Sequence, residues 1–192
     1  MSSIQLALSQ LFDEALQLSD DGVFYAEFDA EWRSLCEISH NNETGISANS
    51  DLIAWKPVPQ VPKVDFAGLA NALETTIHPD LVDFFSSFWS STIEATSIEG
   101  HASLIQLWNQ EDFDRLIENY IGHSIAKKQI KEPLTFFFAT TEADSEYFLS
   151  VDNTSGAVLL EEPGRPPLKQ VDDNLLNFLQ RLKPAASAPV IF

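Results

Sequence analysis

The sequence has 192 residues, 44% of them hydrophobic and 11% aromatic, which supports one ordinary domain with its own core and excludes a disordered chain. Twenty-nine acidic residues stand against 11 basic ones, a formal net charge of −18. Such a surface opposes nucleic acid and anionic lipid and favours a basic partner, although acidity can also serve solubility alone. The excess is uneven: residues 1–100 carry 16 acids and 3 bases, residues 101–192 carry 13 acids and 8 bases. Cys36 is the single cysteine, so neither an intrachain disulfide nor a cysteine-built metal site is available. Met1-Ser2-Ser3-Ile4-Gln5 has neither the basic region nor the apolar run of a signal peptide, and no stretch approaches the ~20 apolar residues of a membrane span. The expectation is a soluble, cytoplasmic protein.

Ser2-Ser3-Ile4-Gln5 has the S-x-x-Q form of a capping box, and Ile4, Leu8, Leu11, Phe12, Ala15 and Leu18 follow at helical spacing. A first helix is therefore predicted over about 3–19. Residues 39–51, with Asn41-Asn42-Glu43-Thr44-Gly45, read as loop. Leu52–Trp55 reads as a short strand, stopped by Pro57, Pro59 and Pro62 in a stiff connector. Phe66, Leu69, Ala70, Leu73 and Ile77 suggest a second helix. Pro79 opens a third, carried through Leu81, Val82, Phe84, Phe85, Phe88 and Trp89. Thr92–Thr96 and His101–Leu107 read as strands joined near Glu99-Gly100.

A long helix is predicted over 110–130. Asn109 can cap it, Glu111 and Asp112 suit its positive end, and Lys127, Lys128 and Lys131 suit its negative end. Leu134–Ala139 is nearly all apolar, as a central strand requires. Tyr147–Val151 and Ala157–Leu160 flank Asp152-Asn153-Thr154-Ser155-Gly156, a hairpin signature. A final helix is expected over about 172–182. The order of elements predicts an α+β domain with a single mixed, largely antiparallel sheet and helices packed against it.

Catalytic signatures are absent: there is no G-x-S-x-G, P-loop or G-x-G-x-x-G. His40, His78, His101 and His123 form no H-x-x-x-H pair, and His123 is read as structural rather than as a ligand or a hydrolase base. Cys36 has no local nucleophile signature. Asp152–Gly156 lacks the third-position acid and downstream Glu of a calcium loop, so it is read as a turn. Glu142, Asp144 and Glu146 alternate and are read as a solvated loop. Glu111, Asp114 and Glu118 fall at i, i+3 and i+7, one acidic stripe beside the apolar face of the long helix.

The run Trp108-Asn109-Gln110-Glu111-Asp112-Phe113, followed by Glu118-Asn119-Tyr120-Ile121-Gly122-His123, resembles the Syd family of bacterial SecY-interacting proteins. The likeness continues through Lys131-Glu132-Pro133-Leu134-Thr135-Phe136-Phe137-Phe138, Asn153-Thr154-Ser155-Gly156 and the stretch Asn174–Pro184, and so spans most of residues 104–184. The resemblance implies a fold of the Smi1/Knr4-like (SUKH) superfamily, with one domain over 1–184, whereas residues 185–192 lie outside the likeness and read as a flexible tail. It also implies loose attachment to the cytoplasmic side of the inner membrane through SecY, and with the weak catalytic signals the expectation is a non-enzymatic, cofactor-free protein. There an acidic concave surface would meet the channel's basic cytosolic loops and probe or restrain improperly assembled SecY. A monomer is expected, with no nucleic acid bound and no direct lipid contact. Candidate partner-binding acids, chosen on charge and position, are Glu43, Asp51, Glu99, Glu111, Asp114 and Glu118. The alternative is an immunity-type protein masking a basic toxin nuclease.

Overall fold

A computed structural model describes residues 1–38, 51–142 and 144–185. Helix α1 (Ser3–Leu18) opens where the sequence predicts. The Ser2 hydroxyl accepts the Gln5 amide at 3.2 Å, and Ile4, Leu8, Leu11 and Phe12 are buried on one face. Strand β1 (Phe24–Glu27), unforeseen in the sequence, pairs antiparallel with β2 (Leu52–Trp55). Phe24 lies opposite Trp55, with ring centroids 4.6 Å apart. The proline connector contributes β3 (Val58–Pro59). Buried Gln60 holds it down by donating to the Phe85 and Phe88 carbonyls and accepting from the Val64 amide.

Helix α2 (Ala67–Leu73) ends at Glu74 in the left-handed region, short of Ile77. Helix α3 (Pro79–Phe85) begins with its proline in the first turn, as expected, and His78 Nδ1 accepts the Asp80 amide. It stops before Phe88 and Trp89, which form β4 (Phe88–Trp89) on β3 instead. Both rings are buried as a strand, so the apolar run that suggested a longer helix belongs to two elements.

The main sheet is curled and seven-stranded. In spatial order it runs β10 (Lys169–Asp172), β9 (Val158–Glu161), β8 (Phe148–Asp152), β7 (Thr135–Thr140), β6 (Gly100–Leu104), β5 (Ile93–Ser97) and β11 (Lys183–Pro184), antiparallel throughout. The α+β class is as expected. Among the described residues the expected single mixed sheet is this sheet plus two two-stranded ribbons, and the Trp89–Leu107 bridge is the one parallel pairing. Helix α4 (Gln110–Gln129) packs on β7, and α5 (Leu175–Gln180) packs against α1. The last helix is shorter than predicted because the Asn174 side chain, rather than Asp172-Asp173, caps it. Ala185, assigned to the tail, donates its amide to the Glu94 carbonyl, and residues 186–192 lie outside the described residues.

Aromatic edges join the layers. Phe138 of β7 meets Phe84 of α3 at 5.6 Å and Phe178 of α5 at 5.7 Å, and Tyr120 of α4 meets Phe136 at 4.8 Å, all edge-to-face. Each pair adds about 0.5–1.5 kcal/mol beyond its buried area. The buried Tyr120 hydroxyl donates to the Phe137 carbonyl at 2.7 Å, which fixes the rotation of α4 on the sheet. That rotation decides which α4 acids face outward.

Candidate partner-binding surface

The α4 stripe exists as predicted: Glu111, Asp114 and Glu118 are all exposed. Asn109 caps the helix by accepting the Asp112 amide at 3.0 Å, and the half-buried Asp112 carboxylate accepts the Trp108 amide in return. Burial raises the Asp112 pKa. The stripe is therefore separate from the cap. Among the described residues, no cation forms an ion pair with Glu111, Asp114 or Glu118. Arg115, which lies between them in sequence, instead sits over the Trp32 ring.

That contact belongs to a larger seam. Trp108 Nε1 donates to the Trp32 carbonyl at 2.9 Å, Asn109 Nδ2 donates to the Arg33 carbonyl at 3.1 Å, and the Ser34 hydroxyl donates to the Trp108 carbonyl. The seam brings the segment after β1, with exposed Asp29 and Glu31, to the start of α4. The Phe28 amide donates to the Asp51 carbonyl at 2.7 Å, which places Asp51 beside the end of β1, whereas Trp55 at the other end of β2 is the residue that meets Trp108. Glu99 stands apart at the β5–β6 turn, whereas α4 follows the other end of β6. Its carboxylate bonds Arg181, and that hydrogen bond lowers its pKa. Glu43 lies outside the described residues.

A second acidic feature was read in sequence as a plain solvated loop. Glu142, Asp144 and Glu146 are exposed, as a solvated loop requires, and with Ser145, Tyr147 and Glu162 they line an open, shallow concavity of about 520 Å³. The alternation of the first three was visible in the sequence. Glu162 was not, because it comes from beyond β9, and only the β8–β9 pairing brings Phe148 opposite Glu161. Arg165 reaches Glu162 at 3.4 Å from an exposed position, a weak pair.

His123, Cys36 and Asp152 are each engaged within the fold. His123 Nε2 meets the Thr135 hydroxyl at 3.0 Å, and burial lowers its pKa. Cys36 is buried and its thiol is pushed up to about 12, too high for a thiolate nucleophile at neutral pH. Asp152 Oδ1 accepts the Thr154 and Ser155 amides, the geometry of a turn. Among the described residues, no group of three or more His, Cys, Asp or Glu side chains is placed to hold a metal ion, and no helix is long and apolar enough to cross a membrane.

Residues 4–184 match the family model described as Syd protein (SUKH-2). The chain is 40% identical over 162 residues to Protein Syd of Pseudoalteromonas atlantica, covering 84% of each. It is 39% identical over 139 residues to Protein Syd of Hahella chejuensis, covering 72% of this chain and 71% of that one. It is 33% identical over 157 residues to Protein Syd of Alteromonas mediterranea, covering 82% and 83%. The chain belongs to the Syd family.

Proposed function

We propose that this protein binds the SecY subunit of the protein-translocation channel at the cytoplasmic side of the inner membrane, and that it probes or restrains SecY that is improperly assembled. The observation that carries this reading is the shallow concavity lined by four carboxylates, Glu142, Asp144, Glu146 and Glu162, of which among the described residues only Glu162 has a cation partner, Arg165. Cytosolic loops of membrane proteins are rich in Lys and Arg, so a hollow of this charge is complementary to them. The exposed α4 stripe, Glu111, Asp114 and Glu118, adds to the negative field that steers the encounter, and Asp51 adds its charge. Glu99, held by Arg181, contributes least.

The net charge of −18 opposes direct docking on anionic lipid, so membrane association runs through the protein partner. The protein acts as a monomeric, non-enzymatic binding module over residues 1–184, without nucleic acid. Co-sedimentation with inner-membrane vesicles tests the reading. Vesicles enriched in SecY should retain more protein than ordinary vesicles at low salt, and the difference should shrink as salt rises. Equal recovery on both vesicle types would overturn it.

A further inference from the structure

Beside the acidic concavity lies a hollow of different chemistry. It has a volume of about 350 Å³ and sits between the second half of α4 and the face of the main sheet. Ile105, Ala126, Ile130, Phe137, Phe148 and Pro163 form its walls. The two hollows share Glu162, and Tyr147 of one precedes Phe148 of the other in the chain. The two hollows therefore adjoin at Glu162, within reach of one extended segment.

The floor of the apolar hollow contains ionisable groups, and each is already engaged. Lys127 Nζ donates to Glu161, the Ser150 hydroxyl donates to the other Glu161 oxygen, and His123 bonds the Thr135 hydroxyl. Lys127 and Glu161 are only 4% and 1% exposed, so the pair is shielded beneath the walls. No buried donor or acceptor there calls for a charged guest. A satisfied floor under aromatic and aliphatic walls selects an apolar one.

We infer that this hollow seats a single aromatic or large aliphatic side chain of the partner segment, while flanking lysines or arginines of that segment lie on the Glu142–Glu146 and Glu162 carboxylates. The inference rests on the reading of a basic partner and deepens it. Recognition then has an anchor as well as a field: charge sets the approach, and the buried side chain sets which basic segment stays bound. Arg165 lines the apolar hollow with its own side chain exposed, and its 3.4 Å pair with Glu162 is weak enough for a partner cation to replace it.

The test uses two short fluorescein-labelled peptides, identical arginine-rich sequences carrying one Phe or, in its place, Ala. Anisotropy titrations are run with the wild-type protein and with Ala126→Trp, whose new ring fills the hollow from the exposed side of α4. The wild type should bind the Phe peptide about tenfold more tightly, a gap of about 1.4 kcal/mol. Ala126→Trp should abolish that gap while keeping the salt-sensitive affinity for both peptides. In wild-type protein the Phe peptide, but not the Ala peptide, should shift the aromatic resonances of Phe137 and Phe148, which keeps the test decisive if Ala126→Trp fails to fold. Equal wild-type affinities for the two peptides, or a gap that persists in a folded Ala126→Trp, overturn the anchor and leave the basic-partner reading standing. Failure of both peptides to bind at low salt overturns the two together.

Discussion

The Arg115 guanidinium lies 4.0 Å from the ring centroid of Trp32, and this contact does two things at once. It pins the segment after β1 to α4, and it turns the one cation in the first two turns of the helix away from the acid stripe. Arg115→Ala should cost about 0.5–1 kcal/mol from the lost cation–π contact. Amide exchange should rise locally across residues 29–37 and stay unchanged in the main sheet. Uniform exchange in the variant would show that Arg115 does not hold the seam.

Lys127 and Glu161 form a pair buried between α4 and β9. Lys127→Met leaves Glu161 charged and uncompensated, so urea unfolding should show a loss of about 3–5 kcal/mol. Adding Glu161→Leu should restore most of that loss, because the desolvation of the remaining charge disappears with it. Equal instability of the single and double variants would place the cost in packing instead.

Gly156 has φ +79°, and a Cβ there would come within 2.6 Å of His78 Nε2. The turn is also tied to the approach to α3, since Asn153 accepts the His78 amide and donates to the Thr76 carbonyl. Gly156→Ala should therefore cost about 2 kcal/mol or more, from the left-handed backbone together with the clash. A thermal midpoint equal to the wild type would contradict this.

His123 supplies a pH dependence. Burial lowers its pKa below the ordinary 6.5, so the unfolded chain takes up its proton first as pH falls. Its contribution to stability is full above about pH 6.5 and is lost as pH falls below it. In His123→Gln, unfolding free energy should fall less steeply over that acid range than in the wild type. Superimposable slopes would show that His123 does not carry the effect.

These particulars also show what the sequence could carry. α1 and α4 were legible because their caps and apolar spacing are local, and the α4 stripe followed from helical geometry alone. β1 was not, because four residues between acid-rich turns gain their identity from β2, more than twenty residues away. Phe88 and Trp89 misled for the same reason: their apolarity suits a helix or a strand, and pairing with Val58 and Pro59 decides. The concavity needed Glu162 brought beside Glu142–Glu146, a non-local fact fixed by strand register. The acid pattern was thus readable in part, but its shape was not.

The central claim is that the carboxylates of the concavity hold a basic partner. The most direct measurement is the affinity of purified SecY for the wild type and for Glu142→Gln/Asp144→Asn/Glu146→Gln/Glu162→Gln, taken across a salt series. The wild type should bind more tightly by about tenfold at low salt, where surface charges are screened least, and should lose affinity more steeply as salt rises. Equal affinities with the same salt slope, in a variant with wild-type stability, would contradict the account.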